Sequence, residues 1–324
     1  MGSPGKHAML KIMQLGMNSS DMVGSLRIFS EVFGFVNAGG QALWGPPIRV
    51  QSLQDGDRAM LWWLLGRERG VQLELFHHSS PKQRPLRPDW RPSDLGWVRF
   101  GVAVSDFDAA LRALGSNGIA PLAEPVMRDG LRRVSFREPY VGCVVEILED
   151  GPAARWSVAG DERLPALVYA TSSVSDVVSA RSHYEQVLGM TVAEIDLLHQ
   201  PGDEACWGID GAVRRGFLAH LGGVWLEIVE YQSPRGRPKP VDYRTSDQGI
   251  VNVGLRAETA GEAIATFDRL AASGLLAPHR VEGDGLVSGY ITDFEREIEI
   301  VALPDRFDAM LGFEPSDPFI AAMA

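Results

Sequence analysis

Four glutamates occupy matching places in four short apolar strands: Glu74 in VQLELF (71–76), Glu146 in CVVEIL (143–148), Glu227 in VWLEIV (224–229) and Glu299 in EIEIVAL (297–303). Burying a lone carboxylate is costly unless something compensates it, so four in register ask for a chemical reason. Carboxylates brought together in an apolar enclosure repel one another, and at least one pKa rises. That is how a general acid or base working near neutrality is made.

The elements that must carry these residues repeat. Glu74 and Glu227 are 153 residues apart, as are Glu146 and Glu299, and Arg99 and Asn252; Gln14 and Tyr169 are separated by 155. The chain therefore reads as a pair of units duplicated once. Each unit opens on a strand that runs into a helix-capping residue: KIMQLGMNSSD (11–21), GWVRFGVAVSD (96–106), ALVYATSSVSD (166–176) and IVNVGLRAET (250–259). Asp21, Asp106, Asp176 and Thr259 are the expected N-caps. Met22, Leu26, Phe29 and Phe33 follow at helical spacing, and Gly34 and Gly189 stand where helices end. The duplication predicts an N-terminal domain over 9–152, a C-terminal domain over 162–305 and a tail over 306–324 that packs as a short helix. Met1–Ala8 reads as a polar leader, and the basic, proline-rich stretch 82–91 (KQRPLRPDWR) as a solvated linker between units.

A strand, a capping Asp, a helix closing on an aromatic and a Gly, then a hairpin ending in a Glu: this order resembles the βαβββ module of the vicinal oxygen chelate superfamily, which includes glyoxalases, bleomycin resistance proteins and extradiol dioxygenases. The resemblance covers residues 11–303 and implies an α+β fold of four modules paired into two half-barrel cups. It also implies metal ligands on the first and last strands of each module. Glu74, Glu146, Glu227 and Glu299 fall on the last-strand place. The first-strand place, usually His and sometimes Gln, is held by Gln14, Arg99, Tyr169 and Asn252. A guanidinium cannot ligate a metal. A divalent metal stays open as cofactor, on Glu227 and Glu299 or on Gln14, Glu74 and Glu146, and oxygen donors would favour Mg²⁺ or Mn²⁺.

With the modules paired in chain order, Arg99 faces Glu74 and Glu146 as an ion pair plugging the first cup, which leaves chemistry to the second. There the expected catalytic residues are Glu227, Glu299, His220 and Tyr290, with Tyr169, Asn252, Trp225 and Trp207 binding substrate. In the hairpin FLAHLGGVWLEIV (217–229), a turn at Gly222-Gly223 sets His220 opposite Trp225 and Leu218 opposite Glu227. Tyr and Asn can donate to a developing enolate. The expected function is lyase or isomerase chemistry on an apolar carbonyl or phenolic compound, aromatic ones included. The alternatives are a non-catalytic binding protein of the bleomycin-resistance type and a metal-dependent glyoxalase- or dioxygenase-like enzyme.

A net charge of −11 argues against nucleic acid as a partner. No apolar run approaches the ~20 residues of a membrane span. Two cysteines, Cys143 and Cys206, fit a reducing, cytoplasmic compartment. The expected partner is a small molecule, with the chain a monomer or homodimer.

Overall fold

The computed structural model describes residues 10–151, 154, 156, 158–221, 223–275, 277, 279–293 and 296–316. The expected leader, the end of the tail and Gly222 of the expected turn lie outside the described residues.

Module 1 comprises β1 (Lys11–Asn18), α1 (Met22–Ile28), β2 (Val36–Trp44), β3 (Arg58–Leu65) and β4 (Gln72–Ser80). Module 2 comprises β5 (Gly96–Val104), α2 (Phe107–Ser116), β6 (Val126–Arg128), β7 (Leu131–Arg137) and β8 (Val144–Glu149). Module 3 comprises β9 (Ala166–Ser173), α3 (Val177–Ser182), β10 (Thr191–Glu194), β11 (Val213–Leu221) and β12 (Val224–Ser233). Module 4 comprises β13 (Gly249–Ala257), α4 (Ala260–Ala272), β14 (Arg280–Gly283), β15 (Leu286–Asp293) and β16 (Arg296–Ala302). All four expected caps hold. Asp21, Asp106 and Asp176 accept from backbone N–H groups of the first turn, and Thr259 forms a full capping box with Glu262, each such cap being worth roughly 1 kcal/mol. Gly34 ends the first helical segment at φ +85, a left-handed conformation that a side chain would strain.

The strands form two eight-stranded mixed sheets, in the orders β14-β15-β16-β13-β1-β4-β3-β2 and β10-β11-β12-β9-β5-β8-β7-β6. In each module the first strand runs parallel to the last, as β1 does to β4 and β5 to β8. This curls the module and points first- and last-strand side chains into one cup.

The pairing of modules departs from the sequence-based expectation. β1 pairs antiparallel with β13, and β5 with β9. Modules 1 and 4 share one sheet and modules 2 and 3 the other, so the cups do not coincide with the halves 9–152 and 162–305. Every first strand offers a similar apolar edge, so strand pattern alone permits either pairing. The choice is made by side chains that meet only across the fold. The apolar faces of the helices lie between the sheets: Phe29 and Phe33 of module 1 stack against Phe100 and Phe136 of module 2, with ring centres 6.1 and 6.0 Å apart. Burying such a side chain contributes roughly 2–3 kcal/mol, and one continuous core draws on both sheets.

The two segments that cross between the sheets, after β4 and after β12, are not loose solvated linkers. They carry a duplicated pattern, with Arg84, Asp89 and Asp94 matched 153 residues later by Arg237, Asp242 and Asp247. Each arginine grips the other segment's aspartates. Arg84 Nε lies 2.8 Å from Asp247 and the same guanidinium reaches Asp242; Arg237 Nε lies 2.8 Å from Asp94 and reaches Asp89. The basic character of 82–91 is thus spent on a reciprocal clasp. Asp94 is 3% exposed and Asp89 69%. Removing a buried acceptor that several arginines share costs far more than removing an exposed one. Asp94→Ala should lower the urea-unfolding free energy by about 2–4 kcal/mol, and Asp89→Ala should have a much smaller effect.

Candidate active site

The cup of modules 2 and 3 is filled by charge. Glu146 on β8 and Glu227 on β12 are fully buried. Arg99, from β5, is equally buried; it pairs with Glu227 and donates to the Tyr231 hydroxyl at 2.8 Å. Its guanidinium lies 3.5 Å from the centre of the Trp207 ring, a stacked cation–π contact. His199 bridges the two carboxylates, with Nδ1 2.8 Å from Glu227 and Nε2 3.0 Å from Glu146. Thr171 donates to Glu227 at 2.7 Å and Tyr169 donates to Glu146. Arg214 stands 3.5 Å from Glu227, and Arg133 3.6 Å from Glu146. Burial alone would raise both carboxyl pKa values, but these cations outweigh it. Glu146 is held down at about 2, and Glu227 well below the usual carboxylate range.

The cup of modules 1 and 4 is built from the same frame with neutral partners. Glu74 on β4 and Glu299 on β16 keep 6% and 8% of their surface accessible and line a cavity of about 170 Å³. Gln14 Nε2, from β1, donates to both carboxyls at 2.8 Å. Trp63 donates to Glu74 at 2.9 Å, Ser288 to Glu299 at 2.6 Å, and Asn252 to Glu299 at 3.3 Å. None of these donors carries charge. Burial first, and then the Glu299 charge, push the Glu74 carboxyl up to about 8. Burial pushes Glu299 up to about 7, against the pull of Ser288 and Asn252. Tyr290 sits opposite Glu299 in the β15–β16 ladder, and burial beside the two carboxyls holds its hydroxyl well above its ordinary value.

Apolar walls close around this polar floor: Met13, Leu61, Phe76 and Val301 from the sheet, Val50 from a short turn after β2, and Leu311 and Phe313 from the C-terminal segment. The described part of that segment makes one 3₁₀ turn, Asp305–Phe307, and its Ser316 N–H bonds the Asn37 carbonyl at 2.9 Å. Gly312 (φ +76) presses on Trp63 so closely that a methyl group there would lie 2.4 Å from the ring.

The expected second-cup constellation therefore divides. Glu299, Tyr290 and Asn252 belong to the open cup, Asn252 lying behind Glu299 against Gly16. Glu227, Tyr169 and Trp207 belong to the charge-filled cup. His220 and Trp225 pair as the hairpin register predicts, rings 4.3 Å apart, and Leu218 opposes Glu227, but their strands lie in the sheet that does not form the open cavity. Arg99 does plug a cup, with Glu227 rather than Glu74 as its partner. His199 carries no signal in the sequence, because its two carboxylates are 28 and 53 residues distant and converge only in the fold. Ser288 was legible only as a strand residue.

The metal sets suggested by the sequence do not assemble either. Glu227 and Glu299 lie on different sheets, and Glu146 is on the other sheet from Gln14 and Glu74. Among the described residues no three His, Cys, Asp or Glu side chains are placed to hold a metal. Between Glu74 and Glu299 stands an amide N–H donor, and the Asn252 Oδ1 is turned onto Gly16. The family's four ligand places in this cup thus hold two carboxyls and two amides, with no histidine among them.

Residues 166–295 match the family model described as Glyoxalase/Bleomycin resistance protein/Dioxygenase superfamily. That matched stretch carries the superfamily's sequence pattern, and the chain as a whole shares its fold. Glyoxalase I from Zea mays superposes with a TM-score of 0.61 at 14% identity, covering 95% of this chain and 98% of that one. A suggested dioxygenase from Bacillus subtilis subsp. subtilis str. 168 gives 0.61 at 13% identity, over 96% and 91%. At such identities the likeness is one of fold. No curated protein matches at the level of sequence. Among the described residues no helix is long and apolar enough to cross a membrane.

Removing one partner of a buried ion network leaves the rest uncompensated. Arg99→Met should cost about 3–5 kcal/mol in urea unfolding.

Proposed function

We propose that the open cup performs proton transfer on a small, largely apolar carbonyl or phenolic compound, as a lyase or isomerase. The observation that carries this reading is the Glu74–Glu299 pair, two buried carboxyls on the floor of an apolar cavity that titrate at about 8 and about 7. Near neutrality such a pair holds one proton between its members. The Glu299 carboxylate is placed to take a proton from carbon beside a carbonyl. Protonated Glu74 and the Tyr290 hydroxyl can donate to the enolate oxygen that develops. Return of the proton at a neighbouring carbon completes an isomerisation; departure of a leaving group completes an elimination. Leu311 and Phe313 exclude water from the walls, which strengthens these interactions. One chain supplies both halves of the cup, so the reading requires no second copy. A reducing, cytoplasmic setting suits its two buried free cysteines.

Deuterium incorporation into phenylacetone, followed by NMR, tests the chemistry. Exchange should be catalysed by the native protein, rise between pH 6 and 7.5, and fall at least about 100-fold in Glu299→Gln, in line with the usual contribution of a positioned base. Unaltered exchange in that variant would remove the reading.

The same pair makes stability depend on pH with a definite sign. Both folded pKa values lie above those of the unfolded chain, so ionisation favours unfolding as pH rises. Stability should decline from about pH 5 to about pH 8. Glu74→Gln should flatten that decline and be the more stable protein at pH 8 by on the order of 3 kcal/mol, measured by urea unfolding across pH.

Proton transfer by the acid pair alone gives a separate expectation. EDTA should leave the melting temperature unchanged to within about 1 °C, and Mg²⁺, Mn²⁺ or Zn²⁺ at tenfold excess should not raise it, since only a species that binds the folded state stabilises it.

A further inference from the structure

The two cups are one design executed twice, so each serves as a control for the other. Glu227 corresponds to Glu74, Glu146 to Glu299 and Arg99 to Asn252, at the constant spacing of 153. In the closed cup Glu227 holds a guanidinium, that of Arg99, stacked against the Trp207 ring. In the open cup the equivalent of that arginine is Asn252, whose short side chain reaches only the back of Glu299. What remains there is two carboxyls joined through the Gln14 amide, aromatic walls and a cavity of about 170 Å³. Among the described residues every donor on those carboxyls is neutral, and the cavity lining contains no Lys, Arg or His.

We propose that the open cup binds an organic monocation, an amidinium, guanidinium or primary ammonium carried on a single apolar ring, which takes the role that the Arg99 side chain plays in the closed cup. The carboxyl pair supplies the counter-charge, and Trp63, Tyr290 and Phe313 supply faces that favour a cation. The volume suits one ring, since a cavity of about 150 Å³ accommodates benzene. Anions are excluded, because a second negative charge would meet the carboxyls with nothing to offset it. The inference goes beyond proton transfer and concerns binding alone.

Three isosteric probes separate charge from shape: benzamidine, benzamide and benzoate. By isothermal titration calorimetry at pH 7.5, benzamidine should bind at least tenfold more tightly than benzamide, and benzoate should give no heat of binding. The benzamidine preference should strengthen from pH 6 to pH 8, as the carboxyls ionise, since the probe itself stays charged throughout. In Glu299→Gln, shown to be folded by an unchanged circular dichroism spectrum, the ratio should fall toward one. Equal binding of benzamide and benzamidine, a preference that is flat with pH and intact in Glu299→Gln, or no binding by any probe overturns the proposal. A cation preference without deuterium exchange upholds it and removes the proton-transfer reading; exchange without cation preference does the reverse.

Discussion

A buried carboxylate must find a compensating partner or give up its charge, and that constraint shapes this molecule on both sides. The fold delivers two glutamates to the floor of each cup, because in every module the first strand lies parallel to the last and both aim their side chains inward. In one cup Arg99, Arg133, Arg214 and His199 answer the charge, and the carboxylates stay ionised in the absence of solvent. In the other the answer is a glutamine, a tryptophan and a serine, and the carboxyls respond by holding their protons. The same module architecture thus yields an ionic core in one place and a pair of proton-holding acids in the other. The difference lies in a handful of side chains.

That division of labour depends on how the modules pair. Had modules 1 and 2 shared a cup, Arg99 would have lain against Glu74 and Glu146, and Glu227 and Glu299 would have been left together. The observed pairing segregates charge from neutrality. It is stabilised by groups that meet far along the chain: the phenylalanines packed between the sheets and the reciprocal grip of Arg84 and Arg237 on the aspartates of the opposite crossing segment. The closed cup and the clasp act as scaffold, and the cost of keeping two uncompensated acids in the open cup is offset by stability gained there.

Much of this was legible in one dimension. The 153-residue duplication, the helix caps at Asp21, Asp106, Asp176 and Thr259, the His220–Trp225 register and the four inward glutamates all follow from local rules: hydroxyl and carboxylate oxygens satisfy helix N-termini, and side chains alternate along strands. Gln14, Glu74, Asn252, Tyr290 and Glu299 were each recognisable as candidates for that reason.

Their grouping was not. The sequence by itself determined the modules, their order and which side chains point inward, because these depend on contacts within a few residues. Only the tertiary structure decided which modules share a cup. Each first strand presents a similar edge, and the interactions that discriminate, Arg99 with Glu227 and Gln14 with Glu299, join residues 128 and 285 positions apart. Local pattern carries no information about such partners. Charge balance in a low-dielectric interior does, and it can be evaluated only once the chain has folded.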